Sequence, residues 1–556
     1  MSAQTAPGHD NIHTLHGLVS TRAAALHELP FITFEGEVWS YAQVHRQAQA
    51  CACGLVAIGC APQDRIGTLL ENRLEFLSVW FGTAYAGGVH VPLNVEYRGE
   101  ILKRILEDVA VQVMFCEDYL LHNLVAAMEG ARHGIRTIVV FGQENVTGQA
   151  HGAELISWEA FQRRAEQAPP FEPVRRSPNE FSIVMMTSGT TGVSKGVMVG
   201  DKHAITHGWE AAEAYGITST DVMYTCLPLF HGNAGWATVL CAMCAGARVA
   251  LARRFSASRF WEEVTSMEVT QVALLGTMLH ILAAAPPHEW ERRHRVRIGT
   301  SVPCPADVMI AFERRFGFPL LETYGTSETK RILSNRHYLR RIGSAGLPTP
   351  SSIVEIHDAE GHRLPSGAVG EICFRPKEPG LLTLGYLNRP EATLQNLRDG
   401  WWCTGDLGRQ DEDGFFYFAG RKKDALRRRG ENVSAFEVER ALMGHADVLH
   451  AAVVAAPSEL SEDEIVAVVV RKPGTTPSEA EVFAHADSAL PSFMVPRFIA
   501  FVDQLPETAT GKIAKEGLAA RVMQDGVWDS KQAGLIPSRA RDAARAADPS
   551  PPARER

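Results

Sequence analysis

The chain has 556 residues, 45% of them hydrophobic and 21% charged, with a formal net charge of −9. That balance suits a folded chain of several domains with a large core, and excludes a disordered, collagen-like or coiled-coil chain. The weak acidity argues against a general nucleic-acid binder, which gains affinity by neutralising phosphates with Lys and Arg, but leaves room for a small anion in one local pocket.

The first twenty residues lack a basic start and an apolar stretch, so no secretory signal is expected there. The apolar run Ala237 to Ala247 falls well short of the ~20 residues a membrane-spanning helix needs. Ten cysteines are too few for a disulfide scaffold and fit a reducing, cytoplasmic setting. Cys51, Cys53 and Cys60 read as core residues of a helix. Cys241 and Cys244 form a CxxC that no second pair completes, so packing is expected of them.

In chain order, Tyr41 to Ile58 has helical spacing and stops at Gly59. Arg65 to Leu70 reads as a strand, Glu75 to Ala86 as a helix, and Val89 to Pro92 as a strand. Glu100 to Asp108 reads as a helix and Val111 to Cys116 as a buried strand. This βαβα rhythm, resumed from Thr206 to Leu282, predicts parallel sheets covered by helices. From about residue 343 to 420 short β-like runs punctuated by Gly and Pro predict a β-rich subdomain: Ile353 to His357, Glu371 to Arg375 and Phe415 to Ala419. A basic stretch, Arg421 to Arg429, precedes a helical pattern from Ala435 to Met443 and strand-like runs at His450 to Ala456, Glu464 to Arg471 and Arg497 to Val502. Fold class is therefore α/β. A large unit, 1–420, is followed by a short hinge at 421–423 and a small α+β domain at 424–535. The Ala-, Arg- and Pro-rich residues 536–556 carry too little apolar surface to order themselves and are expected to be disordered.

The strongest local signal is Thr187-Ser188-Gly189-Thr190-Thr191-Gly192-Val193-Ser194-Lys195-Gly196 between two strand-like runs. Glycines let several N–H groups converge on one anion, and five hydroxyls and an ammonium add donors, which suits a polyphosphate. It is not a Walker A loop, because Gly196 follows Lys195 and a β pattern, not a helix, comes next.

This segment resembles the phosphate loop of the adenylate-forming superfamily, which includes acyl-CoA synthetases, peptide-synthetase adenylation domains and firefly luciferase. Ser194 stands where that family usually has Pro. The family's other motifs follow in order. Tyr324-Gly325-Thr326-Ser327-Glu328 is similar to its YGxTE segment, which implies that Tyr324 stacks on adenine, Ser327 reaches the α-phosphate and Glu328 holds Mg²⁺. Thr404-Gly405-Asp406 resembles the turn whose carboxylate binds ribose hydroxyls. Gly420 to Asp424 resembles the inter-domain hinge, with Arg421 on the nucleotide and Lys423 as pivot. Gly430 and Glu431 match the strand beside the pantetheine tunnel. Pro506 to Lys512 resembles the terminal motif, so Lys512 would bridge the carboxylate substrate and the α-phosphate. Pro228 to Asn233 matches the acyl-pocket segment, with His231 at the aromatic gate and Trp236, Gly276 and Thr277 further round the pocket. Thr300-Ser301-Val302-Pro303 departs from the family's Gly-Gly-Ala-Pro at the adenine strand.

The resemblance implies the superfamily's adenylating fold with a mobile C-terminal domain. It also implies a two-step reaction using ATP, Mg²⁺ and coenzyme A, in which a small carboxylic acid becomes acyl-AMP and then a thioester. No nucleic acid or membrane span is expected, and the sequence leaves the assembly open, a homodimer being the commonest kind. Competing readings are an acyl-AMP ligase serving a carrier protein and a catalytically silent nucleotide-binding homologue. An amino-acid adenylation domain is disfavoured, since His231 follows Phe230 where that subfamily has Asp. Phe255 to Trp261, Glu431 to Ser434 and Val527 to Asp529 resemble the crotonobetaine/carnitine-CoA ligase branch. A quaternary ammonium substrate would want an aromatic cage, for which Trp209 and Trp236 are candidates. Arg427, Arg428 and Arg429 read equally as a solvated basic run or as contacts to coenzyme A phosphates.

Overall fold

In the computed structural model the described residues are 12–143, 146–169, 171–187, 194–302, 306–421, 426–428, 431–433, 435–458, 463–506, 515, 517–524 and 526–537. They fall into two compact units. The larger runs to Arg421 without residues 96–103 and Ser194; those residues group with the smaller unit, which takes up the chain again at Leu426.

The larger unit holds two nine-stranded sheets. One runs Gly385–Tyr386, Lys195–Gly200, Phe181–Thr187, Val89–Pro92, Arg65–Leu69, Val113–Glu117, Thr137–Phe141, Ala153–Ser157, Thr147–Ala150. Its middle strands are parallel, and Val113–Glu117 and Thr137–Phe141 are buried at every position, as strands covered on both faces must be. The second sheet runs Leu347–Pro348, Lys330–Ser334, Leu320–Thr326, Ile298–Val302, Gln271–Leu275, Val222–Thr225, Arg248–Leu251, Pro30–Phe34, Glu37–Ser40. Helices separate the parallel strands. Tyr41–Ala57 opens with a capping box in which the Gln43 N–H donates to Ser40 Oγ and the Ser40 N–H to Gln43 Oε1. Cys51 is buried in that helix, but Cys53 is only half-buried, and Cys60 lies beyond the helix end and is also half-buried. Cys241 and Cys244 are free, fully buried packing residues.

The strands Ser352–His357, Gly370–Pro376, Trp401–Gln410, Leu397–Arg398 and Phe416–Arg421 make a separate antiparallel sheet. The segment 343–420 is not confined to it. Leu347–Pro348 and Gly385–Tyr386 join the edges of the two large sheets, and this second excursion places a residue of the candidate site. In the smaller unit, Val448–Pro457, Asp463–Arg471, Phe498–Phe501 and Trp528–Asp529 form a four-stranded sheet, and Leu426–Arg428 pairs with Glu431–Val433. Alternate valines and alanines of the two long strands build its core: Ala452, Val454, Ala456, Val466, Val468 and Val470. No helix among the described residues is long and apolar enough to cross a membrane.

Candidate active site

The site starts at the feet of the 187–196 loop. Thr187 lies directly opposite Lys195 across an antiparallel pair, and Thr187 Oγ1 donates to the Lys195 carbonyl at 3.4 Å. The pairing fixes where the loop leaves and rejoins the sheet; Ser188, Gly189, Thr190, Thr191 and Gly192 lie outside the described residues. The Lys195 ammonium sits over the ring of Tyr386, 4.8 Å from its centroid. Tyr386 is brought there because Gly385–Tyr386 pairs with the far side of Lys195–Gly200, Val197 opposite Tyr386. The Tyr386 hydroxyl donates to Glu328 Oε1 at 2.7 Å and accepts from Asn396 Nδ2 at 3.2 Å. One ring therefore joins the loop lysine to the carboxylate expected to hold metal. Burial, with the Glu328 charge adding to it, pushes this phenol well above its ordinary value, so it remains a donor at neutral pH.

Glu328 is carried by the turn between Leu320–Thr326 and Lys330–Ser334, a hairpin whose register slips between Tyr324 and Gly325. At Gly325 the strands approach so closely that a Cβ would stand 2.1 Å from the Lys330 carbonyl oxygen, so only glycine fits. The Thr326 N–H donates to Thr329 Oγ1 at 3.2 Å and the Thr383 N–H to the Glu328 carbonyl at 2.7 Å. These bonds hold Ser327 and Glu328, both half-buried, at the turn. Tyr324 donates its hydroxyl to Asp406 Oδ2 at 2.8 Å. Asp406 is buried, its N–H donates to Thr404 Oγ1 at 3.2 Å, and the Gly405 N–H donates to Glu371 Oε1 at 3.0 Å. Arg421 occupies the register position opposite Asp406. Tyr324 lies just past the parallel-paired part of the strand Leu320–Thr326, and Gly276 follows the end of Gln271–Leu275; ligand crevices of open α/β sheets form at such carboxyl ends.

Beneath the hairpin lies a sealed polar layer on helix Asp201–Tyr215. Lys330 is fully buried; its Nζ stands 2.5 Å from Glu210 Oε2 and donates to the Arg331 carbonyl, Thr349 Oγ1 and Ser352 Oγ. Glu210 Oε1 accepts the Ser351 N–H at 2.8 Å. Burial holds the Lys330 ammonium below its ordinary pKa, against the opposing pull of Glu210. Arg331 bonds His207 Nε2 at 3.0 Å and lies over the Tyr215 ring. Burial brings His203 down to about 3, with the Lys330 charge adding to it.

A recess in the same unit is lined by Trp80, His90, Ile183, Met185, His231 and Trp236, among others. It brings His231 and Trp236 together. Trp236 belongs to a π-helical turn, Gly235–Leu240, a local widening of the helix common at functional sites, and meets His203 and His207 edge to face. Burial brings His90 down to about 3, so it is a neutral lining residue. Gly276 is buried at the start of helix Gly276–Ala284 and is not among the recess lining; Thr277 lies in that helix, its side chain outside the described residues. Trp209 is not part of a cage here: it packs against the buried Arg22 guanidinium, 5.2 Å from the ring centroid.

In the smaller unit Glu431 is half-buried and pairs in register with Arg428. The reading of Arg428 as a coenzyme A contact is corrected: it is buried, and its Nε lies 2.9 Å from Glu464 Oε2 inside the unit. Lys423, Gly430 and Lys512 lie outside the described residues.

Two residues beside the site carry no motif. Tyr386 arrives from a distant segment and had no local signal. Glu322, two residues before Tyr324, is buried with Oε2 lacking a hydrogen-bond partner, and burial raises its carboxyl to about 7. Strand alternation puts it on the face of Tyr324, a signal that could have found it. Among the described residues no cluster of three or more His, Cys, Asp or Glu could hold a metal alone. A half-buried Glu328 fits Mg²⁺ nonetheless, since that ion commonly takes one or two carboxylates, with substrate phosphates and waters completing its shell.

Two helix-covered sheets and a small α+β unit, with Lys195 tied through Tyr386 to Glu328, have the architecture of an adenylate-forming enzyme. Residues 19–387 match the AMP-binding enzyme family and residues 437–512 the AMP-binding enzyme C-terminal domain. A crotonobetaine/carnitine–CoA ligase of Salmonella paratyphi A is 31% identical over 496 residues, 88% of this chain and 95% of that protein. The o-succinylbenzoate CoA synthetase of Bacillus subtilis, bound to a product analogue, matches with a TM-score of 0.78 at 25% identity over 91% of this chain and 98% of its own. The amide bond synthetase McbA of Marinactinospora thermotolerans matches with a TM-score of 0.78 at 26% identity, over 91% and 99%. The chain belongs to the AMP-binding enzyme family. Its activity is that of an ATP-dependent, AMP-forming acyl-CoA ligase that works through an acyl-adenylate and uses Mg²⁺ and coenzyme A.

Proposed function

We propose the following division of labour among the residues. The hydroxyls and N–H groups of 187–192 and the Lys195 ammonium hold the departing pyrophosphate. Tyr324 stacks on adenine, and Asp406 and Arg421 take the ribose. Ser327 donates to the α-phosphate, while Gly325 and Thr326 shape the turn. Glu328 would hold Mg²⁺, which when bound neutralises phosphate charge. The substrate carboxylate attacks the α-phosphorus, and Lys512 holds both reactants, supplying orientation and charge stabilisation. The thiol of coenzyme A then attacks the acyl-AMP carbonyl and AMP leaves. For that step the domain 424–535 turns about Lys423 within the hinge 421–423, and Gly430 and Glu431 line the pantetheine path. His231, Trp236, Gly276 and Thr277 bound the acyl pocket.

The observation that carries this reading is the contact chain Lys195–Tyr386–Glu328, which ties the end of the phosphate loop to the metal-type carboxylate. The test is Lys512→Ala, expected to lower ATP–pyrophosphate exchange by ~10²–10³ while supplied acyl-AMP is still converted to thioester. Failure of both half-reactions would defeat the assignment. Lys423→Pro should keep exchange and lose thioester output.

For the acid, the recess offers two indoles and two imidazoles and no carboxylate among its lining. An acid with a quaternary ammonium is the class in the Salmonella relative's name, and aromatic faces attract such a cation; the recess as it stands has room for little more than a water and would open to admit one. Exchange measured with trimethylammonium, short aliphatic and aryl acids decides between them; ATP binding without exchange for any acid would instead mark a silent homologue. We place the activity in the cytoplasm, where ATP and coenzyme A are supplied, and take a homodimer as the assembly, which light scattering measures.

A further inference from the structure

Cys373 and Cys403 face one another directly on the antiparallel strands Gly370–Pro376 and Trp401–Gln410. Their sulfurs are 3.4 Å apart, the Cys373 thiol donating to Cys403. Both are free and buried. Arg398 donates Nε to Cys403 Sγ at 3.1 Å and its terminal nitrogen to Glu371 Oε2. Its side chain is 33% exposed, so the buried Cys403 lies directly beneath a side chain that reaches the surface. The Cys373 thiol and the Arg398 guanidinium both favour the thiolate at Cys403 and hold its pKa below the ordinary thiol value.

The turn that follows Cys403 hangs on the residues that precede Cys373. Thr404 Oγ1 donates to the Ile372 carbonyl at 2.8 Å, and the Gly405 N–H to Glu371 Oε1 at 3.0 Å. Glu371 is thus shared between the Gly405 backbone and the guanidinium that rests on Cys403.

We propose that Cys373 and Cys403 are an oxidisable dithiol whose closure to a disulfide shifts the Thr404–Asp406 turn and weakens nucleotide binding. With hydrogen peroxide as oxidant, the Cys403 thiolate attacks one peroxide oxygen, giving a sulfenic acid and, after protonation, water. The Cys373 sulfur then attacks the Cys403 sulfur, forming S–S and breaking S–O; the Cys373 proton leaves with the hydroxide as a second water. Two thiols lose two electrons and two protons, and one peroxide becomes two waters. Closure draws the sulfurs from 3.4 Å to about 2.05 Å and removes the thiolate on which Arg398 rests. Both changes act on Glu371 and, through it, on Gly405.

The coupling to nucleotide rests on the reading of Asp406 as ribose ligand; the disulfide itself does not. The full-length protein is treated with hydrogen peroxide, unfolded, alkylated with iodoacetamide and digested for mass spectrometry. The expected result is a Cys373–Cys403 linked peptide and a KM for ATP raised roughly three- to tenfold, the range set by loss of one hydrogen bond, reversed by dithiothreitol. Cys373→Ala, which keeps the Cys403 sulfur under Arg398, should keep the reduced protein's KM and form no linked peptide with peroxide, and Cys403→Ser, which lacks the attacking sulfur, should show no further rise in KM on peroxide treatment. Full alkylation of both thiols after peroxide would overturn the proposal, as would a linked peptide with an unmoved KM. Asp406→Ala in the reduced protein checks the underlying reading separately: an unchanged KM there faults the ribose assignment and not the dithiol.

Discussion

Two lysine–glutamate sets lie on either side of one hairpin and are held in opposite ways. Lys330 and Glu210 are buried and saturated: the ammonium has four oxygen partners, and both carboxylate oxygens are engaged. Lys195 and Glu328 are only half-buried and are linked through a single tyrosine, by its ring face and its hydroxyl. The same residue types thus make a keystone in one place and, on the reading proposed above, a ligand site in the other. The difference is how many of their bonding positions the protein itself consumes. A saturated, fully buried pair fixes a backbone; a half-buried pair beside a loop leaves its charged groups nearer to solvent and to a ligand.

The comparison breaks first at the keystone. Lys330→Met leaves Glu210 charged and buried, and should cost about 3–5 kcal/mol in urea unfolding. Adding Glu210→Gln removes the stranded charge and should recover most of that loss. If the single variant is as stable as the parent, the pair is not what anchors the hairpin. The counterpart, Glu328→Gln, should leave unfolding nearly unchanged and lower pyrophosphate exchange by ~10²–10³, the scale of losing one charge that organises the transition state. A stability loss without a rate loss would place Glu328 among the structural carboxylates.

The sequence made part of this contrast legible. Glycine, hydroxyl and lysine spacing marked 187–196 as a candidate polyphosphate loop, and Tyr324 to Glu328 stood out by resemblance. The parallel strands were legible too, since strands covered on both faces are apolar throughout, as Thr137–Phe141 is. What could not be read were contacts that topology alone creates. Tyr386 reaches Glu328 only because a two-residue strand from the β-rich segment crosses to another sheet. Lys330 looked like any lysine after a turn, and Arg428 like a solvated cation, because burial and partners 120 or 36 positions away leave no local trace. Trp209 failed as a cage residue for the same reason: its partner, Arg22, lies in a different helix.

A smaller effect sharpens the contrast by pH. The Glu322 carboxyl rises from 4.5 to about 7 through burial. Its protonated form is therefore favoured in the folded state, and the stability it contributes is present below about 4.5 and lost as pH rises through about 7. Glu322→Gln, which cannot ionise, should match the parent near pH 4.5 and exceed it by about 1–3 kcal/mol at pH 8. Urea melts at the two pH values measure this, and equal stability at pH 8 would show that Glu322 is ionised there without penalty.

The smallest predicted change falls on the tyrosine that joins loop and carboxylate. Tyr386→Phe keeps the ring beneath the Lys195 ammonium and deletes the hydroxyl that donates to Glu328 Oε1 and accepts from Asn396 Nδ2. If the hydroxyl merely fills space, unfolding free energy and Mg²⁺ dependence should both stay put. If it orients the carboxylate, the loss should appear in the Mg²⁺ concentration needed for half-maximal exchange, raised roughly two- to tenfold for one hydrogen bond of about 0.5–1.5 kcal/mol, with kcat at saturating Mg²⁺ little changed. Lys195→Ala should show the complementary pattern, weakening ATP without moving the Mg²⁺ midpoint. Identical shifts in both variants would mean that ring and hydroxyl act as one unit, and that the phosphate and metal subsites are coupled through Tyr386 and not merely adjacent to it.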